Sequence, residues 1–189
     1  MPLTDWVSKC RAYDSRHLYT IQSGWPYPME PDKITGTDYV YFHRSGFGRQ
    51  PGGTIRGTRG WNGGDYRESL KDISYPVICH ELGQWCAYPD FDVIDKFTGY
   101  LQPGNFEIFR ESARAHDVLG QNKEFVYNSG RQQVRMLKED LEANLRTPYI
   151  YGFELLDLHD YLGQGTALVG ILDPFWDSKG YVTPNEWRQ

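Results

Sequence analysis

The chain has 189 residues, enough for one domain and short for two. Its formal charge of −5 lacks the basic footprint of a nucleic-acid binder, and no apolar run approaches the roughly 20 residues of a membrane span, so neither nucleic acid nor membrane is expected as a partner. Three cysteines, Cys10, Cys79 and Cys86, are too sparse and odd in number for a disulfide framework.

Residues 4–13 read as a short helix, with Thr4 as N-cap, Asp5 in the first turn and Trp6, Val7 and Cys10 on one side. The N-terminus has no apolar signal segment and enters this helix at once, as though the chain began inside a domain. Asp14-Ser15-Arg16 is a turn, and the β-branched and aromatic run 18–22 is a strand. Pro26, Pro28 and Pro31 then mark a loop. A second strand covers 39–43. The stretch 44–64 carries eight Gly and the four arginines Arg44, Arg49, Arg56 and Arg59. It reads either as a solvated loop or as a lid whose guanidinium groups meet an acidic sugar.

Asp65 is placed to cap a helix through Tyr66, Leu70 and Ile73. A third strand, 76–80, follows. Residues 92–100 and 105–116 are helical candidates. Val134, Leu137, Leu141 and Leu145 recur at spacings of three and four and make 131–146 an amphipathic helix. A fourth strand covers 150–157. Strands alternating with helices imply βα units and a parallel sheet.

The stretch Tyr75 to Phe91, YPVICHELGQWCAYPDF, carries the chemistry. A buried strand runs into His80-Glu81, and Gly83 turns the chain away. A carboxylate at the C-terminal end of such a strand is where α/β barrels place catalysis. The plain alternative is a strand-end Glu paired with a loop.

Other motifs fail on their own terms. His80-Glu81-Leu82-Gly83 opens like H-E-x-x-H, but position 84 is Gln, so no metal is expected. Gly163-Gln164-Gly165 with Gly170 lacks the Lys and hydroxyl of a phosphate loop and reads as a tight turn, so no cofactor is expected. There is no G-x-S-x-G elbow. Aromatic residues form 15 % of the chain, with 6 Trp and 14 Tyr. Their flat rings suit sugar faces, and equally suit a core with wet polar tips.

Three segments in order carry a family resemblance. YDSRHLYTIQSG resembles the D-P-[ST]-R-P-V-T segment entering the fifth barrel strand of glycoside hydrolase family 2, the β-galactosidase and β-glucuronidase family. YPVICHELGQW resembles the segment ending the seventh strand, whose Glu is the nucleophile. YGFELLDLHDYLGQGTALVGILDPFWDSKGYVTPNEW resembles the eighth strand and the later K-G turn. The tract from HELGQW onward is similar to family-2-like proteins of polysaccharide-degrading gut bacteria. Two positions depart from the pattern: Leu156 stands where the eighth-strand Trp would floor the sugar site, and Leu82 where an aromatic residue would follow the nucleophile.

The resemblance implies an α/β fold, a parallel (β/α) half-barrel made of strands five to eight of a TIM-barrel glycosidase. Residues 1–189 would then be a partial (β/α)8 catalytic domain whose N-terminal half is absent. It implies a retaining hydrolase acting on plant or host glycans, with an oligosaccharide or polysaccharide as substrate; the sequence leaves the compartment unknown, a periplasmic or secreted full-length protein being one option. Glu81 would be the nucleophile, and its acid/base partner would lie before Met1. His80, Trp85, Tyr88, Trp25, Asp157, His159 and Asp160 are the candidate sugar contacts. For His80 and His159 a structural role is the alternative, and for Asp157 and Asp160 the capping of the following turn. An in-chain alternative pairs Glu81 with Glu154, against which stands a mid-strand position for Glu154. A non-catalytic carbohydrate-binding protein, or an inactive glycosidase fragment, is the competing function. The open edges of a half-barrel predict pairing with a second copy or with the missing half.

Overall fold

In the computed structural model, residues 3–21, 36–43, 63–70, 73–165 and 168–189 are described. The chain divides into two compact units, Met1–Leu82 with Glu139–Leu155, and Gly83–Lys138 with Leu156–Gln189. It is mixed α/β, with one small parallel sheet.

The first unit opens with α1 (Leu3–Tyr13). Its sheet has three strands among the described residues, β1 (Val40–His43), β2 (Val77–Leu82) and β3 (Ile150–Leu155), in the order β1-β2-β3 and all parallel. β2 is central, and its Val77, Cys79 and Leu82 are buried. The helix α2 (Arg67–Leu70) is one short turn. Asp65 accepts the Arg67 backbone N–H at 3.0 Å, as its expected capping role requires. The helix stops before Ile73, whose N–H turns back to the Leu70 carbonyl.

The expected strand at 18–22 is not formed in residues 18–21. The Tyr19 backbone bonds to a single residue, Asp38, through both its side chain and its backbone, and not to a strand ladder. Tyr19 N–H donates to the Asp38 carboxylate at 2.8 Å, the Tyr19 carbonyl accepts from Asp38 N–H, and Arg11 holds the other Asp38 oxygen. The Gly/Arg stretch at 44–62 lies outside the described residues.

In the second unit the 92–100 candidate is a 3-10 helix, Phe91–Lys96, capped by the Asp90 side chain. It is followed by α3 (Gly104–Ala115). Next comes α4 (Asn122–Arg146), which starts nine residues before the expected 131 and whose last turns, from Glu139, belong to the first unit. Within it Ser129 Oγ bonds back to the Phe125 carbonyl at 2.6 Å, and Gly130 leaves the space that the Tyr181 ring fills. Ala87, Val126 and Tyr181 form one apolar cluster, and Val93, Phe106 and Leu168 a second. Buried Gln133 donates to the carbonyls of Trp85 and Val169 and accepts from the Tyr181 hydroxyl. α5 (Pro184–Trp187) closes the chain with a capping box between Thr183 and Glu186. Among the described residues no helix is long and apolar enough to cross a membrane.

Candidate active site

The site grows from an irregularity in the ladder between β2 and β3. Cys79 pairs with Phe153, and the next pair is Leu82 with Leu155. Two residues of β2, His80 and Glu81, therefore stand opposite one residue of β3, Glu154. This is a β-bulge, a device that bends a strand and re-aims its side chains. Glu81 takes the extra position with φ 55°, in the left-handed region that costs an L-residue about 1–2 kcal/mol. Strand β2 continues past Glu81 to Leu82, so the expected strand end at residue 80 is corrected to a bulge followed by Gly83, whose φ is 84°.

Side chains from all three strands meet here. Registered partners in a sheet share a face, so Tyr41 of β1 lies on the face of Ile78, two residues before His80. The Tyr41 hydroxyl donates to Glu154 Oε1 at 2.9 Å. Glu154 Oε2 is 3.1 Å from His80 Nδ1, and His80 Nε2 is 3.7 Å from Glu81 Oε1. The Tyr41 and His80 rings lie 5.5 Å apart, and Tyr39 packs edge-on against Tyr41 at 5.2 Å. Burial first, then hydrogen bonding to Tyr39 and Glu154, pushes the Tyr41 phenol well above its ordinary range. It therefore keeps its proton and acts as a hydrogen-bond donor to Glu154. The Glu81 side chain is 23 % exposed and that of Glu154 51 %, so both carboxylates reach solvent.

β3 ends at Leu155, which puts Glu154 next to the strand's C-terminal end and corrects the mid-strand position expected for it. Asp157 lies beyond β3 and not on its end, and its Oδ1 accepts the N–H of the next residue, Leu158. Cys79, on the opposite face of β2, is buried, and that burial pushes its thiol pKa up, which makes it a poor nucleophile.

The other candidates belong to the second unit. Asp160 is buried and ion-paired at 2.8 Å with Lys179, and its Oδ1 also accepts Gly170 N–H. It holds the 168–170 segment in place. Tyr88 packs against Phe91 and Phe125, while its N–H donates to Ser129 Oγ. Trp85 is half-buried, with its carbonyl taken by Gln133. His159 stacks against Trp176 with ring centroids 4.4 Å apart. Trp25 lies outside the described residues. A cavity of about 100 Å³ in this unit is bordered by Asp90, Lys96, Lys123, Asp160, Asp173 and Lys179. These charges are paired with one another or with a neighbouring aspartate, so the cavity wall is structural.

Two residues were not singled out from sequence. Tyr41 could have been found from its place in the strand, one residue out of phase with buried Val40. Trp176, 60 % exposed with φ 70°, gave no periodic signal because it sits in a turn. That turn is rigid: Asp173 Oδ1 accepts the N–H groups of Phe175 and Asp177, and Lys96 bridges the carboxylates of Asp173 and Asp177. Among the described residues no group of three or more His, Cys, Asp or Glu side chains could hold a metal ion. The chain matches no protein-family model, and no curated protein matches it.

Proposed function

We propose that this chain carries the nucleophile half of a retaining β-glycosidase barrel and that Glu81 is the nucleophile. The observation that carries the reading is the bulge at the end of the central parallel strand, which spends backbone strain to hold a carboxylate-bearing residue beside a His and a second Glu. Strain of this kind persists where surrounding contacts enforce it, and it clusters at active sites. The parallel sheet and the order of the three family-2-like segments agree with strands of a TIM barrel, and the half-barrel is part of the proposal.

In this reading a Glu81 oxygen attacks the anomeric carbon, the bond from that carbon to the leaving oxygen breaks, and water later hydrolyses the resulting ester. Retaining enzymes hold their two carboxyl groups about 5–5.5 Å apart. The three resembling segments supply one of them, Glu81. An aryl glycoside with a dinitrophenolate leaving group departs without a proton, so Glu81 alone suffices for the first step. The chain should release one burst of dinitrophenolate per molecule from dinitrophenyl β-galactoside or β-glucuronide, and Glu81→Gln should release none. A burst of equal size from Glu81→Gln removes the assignment.

A second reading pairs Glu81 with Glu154 inside this chain, favoured by the position of Glu154 beside the end of β3. Glu81 is then the nucleophile and Glu154 the acid/base, and this reading requires turnover of unactivated glycosides by the 189-residue chain. In the second unit, Trp176 backed by His159 offers a flat aromatic face for sugar C–H groups.

A further inference from the structure

We propose that Trp176, backed by His159, is a binding subsite for a neutral sugar ring, built wholly within the second unit. The choice of a sugar deepens the carbohydrate reading above and names its class. No residue of the first unit takes part.

An exposed aromatic side chain alone calls for no explanation. Trp176, however, is 60 % exposed and also held at φ 70°, in the left-handed region that suits glycine better. The backbone fixes it there. Leu172 bridges His159 on one side and Ser178 on the other, so three segments lie side by side. Trp176 N–H donates to the Asp173 carbonyl, and Asp173 N–H donates to the Asp177 carbonyl. Lys96 ties the Asp173 and Asp177 carboxylates together. None of these bonds uses the indole.

The ring is also supported from behind. His159 packs on it at 4.4 Å, with 38° between the planes. Its Nδ1 is 2.8 Å from the Asp160 carbonyl, which can only accept, so this nitrogen donates and sets the imidazole's rotation. The His159 backbone abuts Gly170, where a Cβ would lie 2.5 Å from the His159 Cα. With one face of the indole turned to His159, the other is left for a ligand.

Charge and area select that ligand. A stacked nucleobase needs cations for its phosphates, but Lys96 is already bridged by two aspartates and the chain carries −5. Trp176 and the 40 % exposed Phe175 offer two rings, whereas a stable protein interface takes about 800 Å² per partner. A pyranose matches one indole in size and places its C–H groups on the flat face. Asp177, the next residue, has its side chain 66 % exposed and supplies oxygens that accept from sugar hydroxyls. The same carboxylate repels an anionic sugar, which leaves a neutral one.

The test titrates the full chain, ¹⁵N-labelled at tryptophan, with β-1,4-galactotetraose, β-1,4-xylotetraose and the anionic trigalacturonate. The indole signal lost in Trp176→Phe, one of six, assigns Trp176. It should move with a neutral tetraose and stay still with trigalacturonate. Variant affinities are read by retardation in gels containing galactan or xylan. Trp176→Tyr and His159→Ala should bind within about threefold of wild type, and Trp176→Leu at least about tenfold more weakly, because stacking needs a flat ring. A signal unmoved by both tetraoses, an equal shift with trigalacturonate, or Trp176→Leu retarded like wild type overturns the proposal. If the signal moves but 2,4-dinitrophenyl 2-deoxy-2-fluoro-β-galactoside leaves Glu81 unlabelled, the subsite stands and the nucleophile reading falls. If Glu81 is labelled and the signal stays still, the subsite alone falls.

Discussion

The ring of Tyr181 fills the space beside Gly130 that a Cβ at that position would need. Tyr181 is itself buried and tied through its hydroxyl to Gln133, so it cannot swing away. Exposed mid-helix Gly→Ala changes stabilise by about 1 kcal/mol. Gly130→Ala should instead destabilise by about 1–3 kcal/mol, because the added methyl overpacks a closed site. Urea unfolding with an unchanged slope would measure this, and a stabilised variant would contradict the packing described.

That same glycine shows why part of the fold was hard to read from sequence. The apolar spacing from Val134 to Leu145 announced the second half of α4 but not the first, where Gly130 sits in the helix because the Tyr181 ring packs against it. Strands β1, β2 and β3 were legible from their β-branched and aromatic runs. The strand expected at 18–22 is not formed at 18–21, where Asp38, nineteen positions after Tyr19, offers its carboxylate to that backbone. At the site, Glu81 and His80 stood out by adjacency on one strand. Tyr41 and the role of Glu154 depend on register across three strands, and one bulge decides which side chains meet.

Lys179 and Asp160 form a buried ion pair whose worth is limited by desolvation. Burial raises the Asp160 pKa and lowers that of Lys179, in each case as the largest influence. A raised carboxyl contributes stability that is full below its unfolded pKa and lost as pH rises through the folded one. A lowered lysine contributes stability present above its unfolded pKa and lost as pH falls through the folded one. With both groups charged near neutrality the pair sits at the bottom of both curves. Lys179→Met should cost about 3–5 kcal/mol by stranding Asp160, and adding Asp160→Asn should recover most of that. Chemical denaturation of the two single variants and the double would show it. A double variant as unstable as Lys179→Met alone would mean the pair is a net stabiliser.

Glu81 pays a conformational cost at φ 55° that glycine would not. Glu81→Gly should leave stability unchanged or raise it by up to about 1 kcal/mol, while removing covalent labelling. Thermal unfolding beside a labelling assay separates the two effects. A loss of more than about 1 kcal/mol would show that the side chain serves stability, against a functional origin for the strain.

Trp176 is held out by a turn that does not depend on the indole ring. Trp176→Ala should therefore shift stability by no more than about 0.5 kcal/mol. On the carbohydrate reading, the same change should abolish retardation of the chain in gels containing soluble xylan or galactan. Retardation equal to wild type would remove Trp176 as a sugar contact.

Everything catalytic in this account converges on the carboxyl of one bulged residue. The decisive measurement is peptide mapping by mass spectrometry after reaction with 2,4-dinitrophenyl 2-deoxy-2-fluoro-β-galactoside or the matching glucuronide. The account predicts one fluorosugar per chain, esterified to Glu81 and absent from Glu81→Gln. A sugar attached to Glu154 or to another residue, or a chain that takes none from either reagent, would contradict it.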